Sequence, residues 1–222
     1  DVSEDLVLSA RLDTGEQDQM RYFGIPNAAG DFVRHFVGMN FNVSDSDVHY
    51  EDDSIRLKAE WQTAGNFGLQ AEVFQLASDR LWKNAEAYFY DDGTQLLERW
   101  DPLMIGHEME HTGLRTNLLF SSSGGGVNAS LGFEANDISF DRPTNFQTPA
   151  NPYGITLDEF DTVDPSNCDP GVLANLTTAP FLPDNMSDVS QWAVFGEVQL
   201  NPTDRFAIVA ALRMDDYDTQ IV

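Results

Sequence analysis

Apolar and polar positions alternate along most of this chain. In "DLVLSARLDTG", Leu6, Leu8, Ala10 and Leu12 fall on one side of an extended segment, and Val7, Ser9, Arg11 and Asp13 on the other. The same period of two recurs in "SIRLKAEW" (Ile55, Leu57, Ala59, Trp61), "FGLQAEVF" (Phe67, Leu69, Ala71, Val73) and "VNASLGFEA" (Val127, Ala129, Leu131, Phe133). It returns in "WAVFGEVQL" (Trp192 to Leu200) and "RFAIVAALRM" (Phe206 to Met214). Side chains on a strand point alternately to opposite faces, so each stretch predicts a strand with one apolar face. The fold class is all-β and antiparallel.

Turn chemistry separates these strands at "TAGN" (63–66), "SSSGGG" (121–126) and "NPTD" (201–204). Long polar segments at about 14–47, 80–102 and 141–188 read as loops. Short turns therefore gather at one end of the sheet and long loops at the other. Two architectures satisfy this pattern. A transmembrane barrel turns its apolar faces to lipid and its polar faces to the lumen, with short turns and long loops at opposite ends. A secreted β-sandwich buries the apolar faces against a second sheet. Trp61, Trp100 and Trp192 near strand ends fit the aromatic girdle of a barrel.

One motif points elsewhere. "IGHEMEHTG" contains H-E-x-x-H at His107, Glu108 and His111. On a helix, two histidines four residues apart share a face and bind one zinc ion, with the glutamate as general base. On a strand they also share a face but stand roughly 13 Å apart, beyond the reach of one ion. Thr112, Leu114, Thr116, Leu118 and Phe120 continue the alternation past the motif, and Gly106 and Gly113 weaken a helix. The region 103–120 is therefore expected to be a strand, and the two histidines polar strand residues.

Composition narrows the partners. The 222 residues carry a formal net charge of −25, which argues against nucleic acid, since little is present to neutralise phosphates. Hydrophobic residues make up 41%, enough for a folded chain. The single cysteine, Cys168, has no partner for an internal disulfide. No apolar run is long enough for a transmembrane helix. The absence of an initiating Met is expected of a piece of a larger protein. Sequons at Asn42, Asn128, Asn175 and Asn185 matter only in a eukaryotic secretory protein.

Three longer strings carry a resemblance. "YFGIPNAAGDFVRHFVGMNFNVSDSDVHYEDDSIRLKAEW" (22–61), "DRLWKNAEAYFYDDGTQLLERWDPLMIGHEMEHTGLRTNL" (79–118) and "AVFGEVQLNPTDRFAIVAALRMDDY" (193–217) resemble the barrel of TonB-dependent siderophore receptors. The resemblance implies about seven strands of a 22-stranded barrel, with the plug domain and remaining strands outside residues 1–222. It implies capture of a ferric siderophore in the outer membrane of a Gram-negative bacterium, with uptake driven by the TonB complex through the plug. Lipid would cover the apolar face. No catalytic residue, metal ligand or cofactor is implied, because iron arrives wrapped in its chelator. Ligand contacts are expected at Tyr22, Phe23, Trp82, Tyr88, Tyr90, Trp100 and Tyr153, since aromatics give large contact area at low entropy cost. Arg56, Arg115 and Arg213 would attract an anionic chelate or balance Glu60 and Glu134. The loop 141–188, with "NPYG" and "DPSNCDPG", would hold specificity. A passive porin, the β-sandwich binding module, a zinc hydrolase and another cargo such as cobalamin, haem or a glycan stay open.

Overall fold

A computed structural model describes residues 6–18, 27–28, 31–32, 34–37, 39, 41–42, 46–63, 65–149, 151–153, 160–163, 180–203 and 205–221. Seven long strands form one antiparallel arc. They are β1 (Leu6–Asp18), β4 (Asp47–Gln62), β5 (Phe67–Asp91), β6 (Leu96–Ser121), β7 (Val127–Thr144), β9 (Leu182–Thr203) and β10 (Phe206–Ile221), paired in that order. Three short pieces lie off this path. β2 (Asn27–Ala28) pairs with β3 (Asp31–Phe32) and with β5, and β8 (Phe160–Val163) pairs with β6. Among the described residues no helix is long and apolar enough to cross a membrane, which says nothing of crossing by strands.

Register turns seven separate alternations into two continuous faces. Leu6, Trp61, Leu69, Leu118, Leu131, Gly196 and Leu212 stand in one row across the sheet. The next row reads Leu8, Ala59, Ala71, Thr116, Phe133, Val194 and Met214. Slipping one strand by a single residue would put its charges into this band, so the pattern itself specifies the pairing. Along β9 the apolar positions run from Trp192 to Leu200, roughly 26 Å at about 3.3 Å per residue. At a strand tilt of about 40°, that length rises about 20 Å along the barrel axis, most of an apolar band of about 25 Å. Side chains such as Leu12, Leu131 and Leu212 are 77%, 56% and 79% exposed, so among the described residues no second layer covers the band. A sandwich built within this chain would cover it.

The band ends abruptly toward the loop end of the sheet. There the same face carries Glu16 opposite Glu51, Thr14 opposite Asp53, and Thr112, Asp137, Ser190 and Asp218 in one row.

At the other end the short turns knit together. The Ser121 amide donates to the Asn66 carbonyl (2.8 Å), and the Asn201 amide donates to the Gly126 carbonyl (2.8 Å). Gly125 supplies the positive φ of 67° that the second turn requires.

Two expectations change. Residues 80–102 are not a loop. β5 and β6 continue through them in one register, from Phe67 opposite Phe120 to Asp91 opposite Leu96, and join by a tight turn at 92–95. The strand expected at 103–120 is accordingly longer, and the expected loops at 14–47 and 141–188 are trimmed by the ends of β1, β7 and β9. The reason is environmental. The hairpin lies beyond the apolar band, so its residues lack the apolar alternation by which a strand is read.

Leu131 and Ser130 are neighbours on opposite faces of β7. In the protein reconstituted in lipid vesicles, Leu131→Arg should lower folding stability by about 2–4 kcal/mol and Ser130→Arg by much less. Equal losses in a denaturant titration would show that the apolar face does not meet lipid.

Candidate ligand-facing surface

The polar face is ordered by charge. Arg56 reaches Glu72 (3.6 Å), Arg115 reaches Glu134 (3.2 Å), and Arg213 reaches both Glu134 (3.7 Å) and Asp215 (2.7 Å). Apart from Arg213–Asp215, which lies along β10, these pairs run sideways among β4, β5, β6, β7 and β10, so Glu134 serves two strands at once. Lys58 pairs with Glu60 along its own strand (3.0 Å). Most are partly exposed pairs, each worth little in isolation, and their value lies in forming a network.

Two phenylalanines lie flat on this face. A Cβ at Gly113 would strike the ring of Phe74, and one at Gly132 would strike the ring of Phe195. Arg213 stacks over the Phe195 ring at 5.5 Å. Glycine is needed at both positions because a neighbouring ring occupies the space of a side chain.

Toward the loop end the polar face becomes aromatic. Tyr50 pairs with Arg80, whose guanidinium lies 5.7 Å from the ring centre. Arg80 also reaches Asp52 (3.2 Å), which accepts from the Ser78 hydroxyl (2.6 Å). His107 pairs with Arg80 and stacks against Phe140 at 5.6 Å. His111 lies within 3.2 Å of the Asn136 side-chain oxygen and packs edge-on against Phe74. Both histidines thus stand on strand β6 with separate partners, as the alternation predicts. Among the described residues, one group of carboxylates and imidazole converges elsewhere: ligand atoms of Glu16, Asp18 and His49 lie within 4.8 Å of one another on the opposite, apolar-band side.

The expected ligand contacts separate into groups. Trp82 continues the polar face, half-buried, and donates from Nε1 to Glu86 (2.6 Å). Tyr88 and Tyr90 share that face at the far end of β5 and are brought together, with Tyr90 only 5% exposed. Trp100 stands on the other face of β6, donating to Glu98 (3.1 Å). Tyr153 is 81% exposed in the connection after β7. Tyr22, Phe23 and Cys168 lie outside the described residues.

Residues missed from the sequence cover the hairpin. Phe36 and Phe41 pack with Tyr90 and Leu97 in a buried cluster, with Met39 and Tyr88 at its margin. Arg99 and Leu97 are fully buried. A readable signal existed: Arg80, Trp82, Tyr88 and Tyr90 keep the parity of Glu72 and Phe74. The sequon residue Asn42 is 2% exposed, its side chain engaged with the β5 backbone.

An antiparallel arc with an uncovered apolar band, a charged opposite face, knitted short turns and long connections at the other end is a segment of membrane-barrel wall. The sequence matches the family described as TonB dependent receptor-like, beta-barrel, over residues 2–221, and the chain belongs to it. No curated protein sequence matches the chain. Among solved structures it is similar to BauA, the ferric preacinetobactin receptor from Acinetobacter baumannii, with 12% identity and a TM-score of 0.67, covering 99% of this chain and 32% of that one. The FpvAI–pyocin S2 complex gives 14% identity and a TM-score of 0.70, covering 100% and 30%. The ferripyoverdine receptor of the outer membrane of Pseudomonas aeruginosa, bound to ferripyoverdine, gives 13% and 0.69, covering 100% and 29%. The chain thus spans about a third of the length of these structures.

The hairpin tip carries its own pH dependence. Asp91 accepts from the Thr94 hydroxyl (2.8 Å) and the Gly93 amide (2.9 Å), and these bonds hold its carboxyl below the ordinary range. A depressed pKa gives stability that is full above the ordinary value and lost as pH falls through the depressed one. Amide protection at Gly93, corrected for intrinsic exchange, should therefore hold at neutral pH and fall in acid below the usual carboxylate range. Asp91→Ala should remove that change, and an unaltered profile in the variant would refute the assignment.

Proposed function

We propose that this chain is part of the wall of an outer-membrane receptor that binds a ferric siderophore and imports it with energy from the TonB complex. The membership of residues 2–221 in the receptor family carries this reading. The apolar band supports a place in the outer membrane of a Gram-negative bacterium, and the folds of two ferric-siderophore receptors support the cargo. Iron is cargo held by its own chelator, so the wall needs neither catalytic groups nor a resident metal.

Ligand contact is proposed on the polar face toward the loop end. Trp82 and Tyr50, with Arg80 between their positions on the same face and Phe140 further across the sheet, offer flat rings and a guanidinium to an oxygen-rich chelate. Tyr153 extends this surface from the following connection. Trp100 would contribute from the hairpin's other side, and Tyr22 and Phe23 from the segment before β4. The ion network below holds the wall's shape.

The test is uptake. Cells lacking other ferric-chelate receptors, and expressing the full-length receptor that contains this wall, should accumulate 55Fe from one class of ferric chelate. Tricatecholate, trihydroxamate and mixed complexes form the panel. Accumulation should saturate and should stop when TonB is removed. Non-saturating entry that persists without TonB would mean a passive pore instead.

A further inference from the structure

In the connection before β4, described residues between Arg34 and Asn42 lie across the polar side of the β5–β6 hairpin. Phe36 meets Phe41 edge-on (ring centres 5.1 Å apart) and Tyr90 edge-on (5.0 Å). Phe36, Phe41, Tyr90 and Leu97 are each 5% exposed or less. Beneath them Arg99, fully buried, donates from Nη1 to the carbonyls of Phe41 and Asn42, both at 3.3 Å. Asn42 accepts the Ala85 amide (3.1 Å) just beyond the last β4–β5 pair, Asp47 with Lys83. The segment has internal order too, with the Val37 amide bonded to the Arg34 carbonyl and the Met39 amide to that of Phe36.

We infer that this strap is a permanently seated part of the wall, positioned by Arg99, and that an incoming ferric chelate meets its exposed side at Val37 rather than Tyr90 beneath it. The inference rests on the receptor reading above. Lifting the strap would return four large apolar side chains to water, take two carbonyls from a buried guanidinium and uncap the Ala85 amide together. A ligand gains nothing from Tyr90 unless its contact offsets all three losses. Val37, by contrast, is 62% exposed and already in place. Arg99 touches no ligand in this arrangement and acts by fixing the strap.

The experiment uses the full-length receptor with Cys168→Ser, Phe36→Cys and Tyr90→Cys, whose thiols are joined by a short cross-linker. The probe is whichever 55Fe chelate of the tricatecholate, trihydroxamate and mixed panel the uncross-linked receptor imports. A seated strap predicts import rates within about twofold before and after cross-linking, whereas a lid that opens in each cycle predicts a loss of about tenfold or more. The second result overturns the inference. Independently, Val37→Asp should weaken chelate binding several-fold while Tyr90→Phe leaves it unchanged, and the reverse ranking also overturns it. Hydrogen exchange in the unmodified receptor, reconstituted in vesicles, needs no ligand. The Val37 and Met39 amides should exchange as slowly as those of the adjoining β5 strand, and rapid exchange refutes the seated strap. If no chelate is imported at all, the receptor reading fails, and the exchange result alone judges the strap.

Discussion

Backbone pairing without interruption is the constraint on which this wall depends. Where one face meets a nonpolar phase, an unpaired amide or carbonyl has no water to turn to. The sheet answers with ladders that run the full length of its strands. β5 and β6 hold one register from Phe67 opposite Phe120 to Asp91 opposite Leu96. Irregularities among the long pairs fall away from the band's middle, at Arg142/Pro143 and Phe206/Ile208. Because register never slips inside the band, each residue's parity decides its face, and parity set among the leucines of the apolar band still holds at the hairpin tip.

That rule also distributes charge. Arg56, Lys58, Arg115 and Arg213 share a face with the carboxylates that balance them, Glu72, Glu60, Glu134 and Asp215. Carboxylates such as Glu16, Asp53, Asp137 and Asp218 dominate the other face where the apolar band stops. A chain with a net charge of −25 can thus present a nearly balanced polar wall, because much of its excess is placed elsewhere. The aromatic surface of Tyr50, Trp82 and Phe140 begins above the paired charges, so the proposed ligand contacts and the ion pairs occupy successive levels.

The strands crossing the band were legible because two unlike environments imprint a period of two on them. Leu8, Ala59, Ala71, Phe133 and Val194 could be assigned a common face before any pairing was known. The same alternation disposed of H-E-x-x-H, which sits on β6. The reading failed where that contrast vanishes. In the stretch from Arg80 to Pro102 both faces lie outside the band, and composition looked like loop. The strap was invisible for another reason. Phe36 and Tyr90 are far apart in sequence, and nothing local marks either as the other's partner. The burial of Tyr90 was equally unreadable, because an aromatic in a loop-like segment offers no sign that a second segment lies on top of it.

The two rings laid over Gly113 and Gly132 govern something beyond packing. A phenylalanine standing upright on a sheet projects its whole length, whereas one lying across a glycine adds little more than the thickness of a ring. Phe74 and Phe195 both lie down, on different strand pairs and at different heights along the wall. Each thereby gives the polar face an apolar, stiff covering without projecting far from the sheet. Replacing either glycine by a larger residue would lift its ring off the strands, so two residues without side chains set how far this face projects.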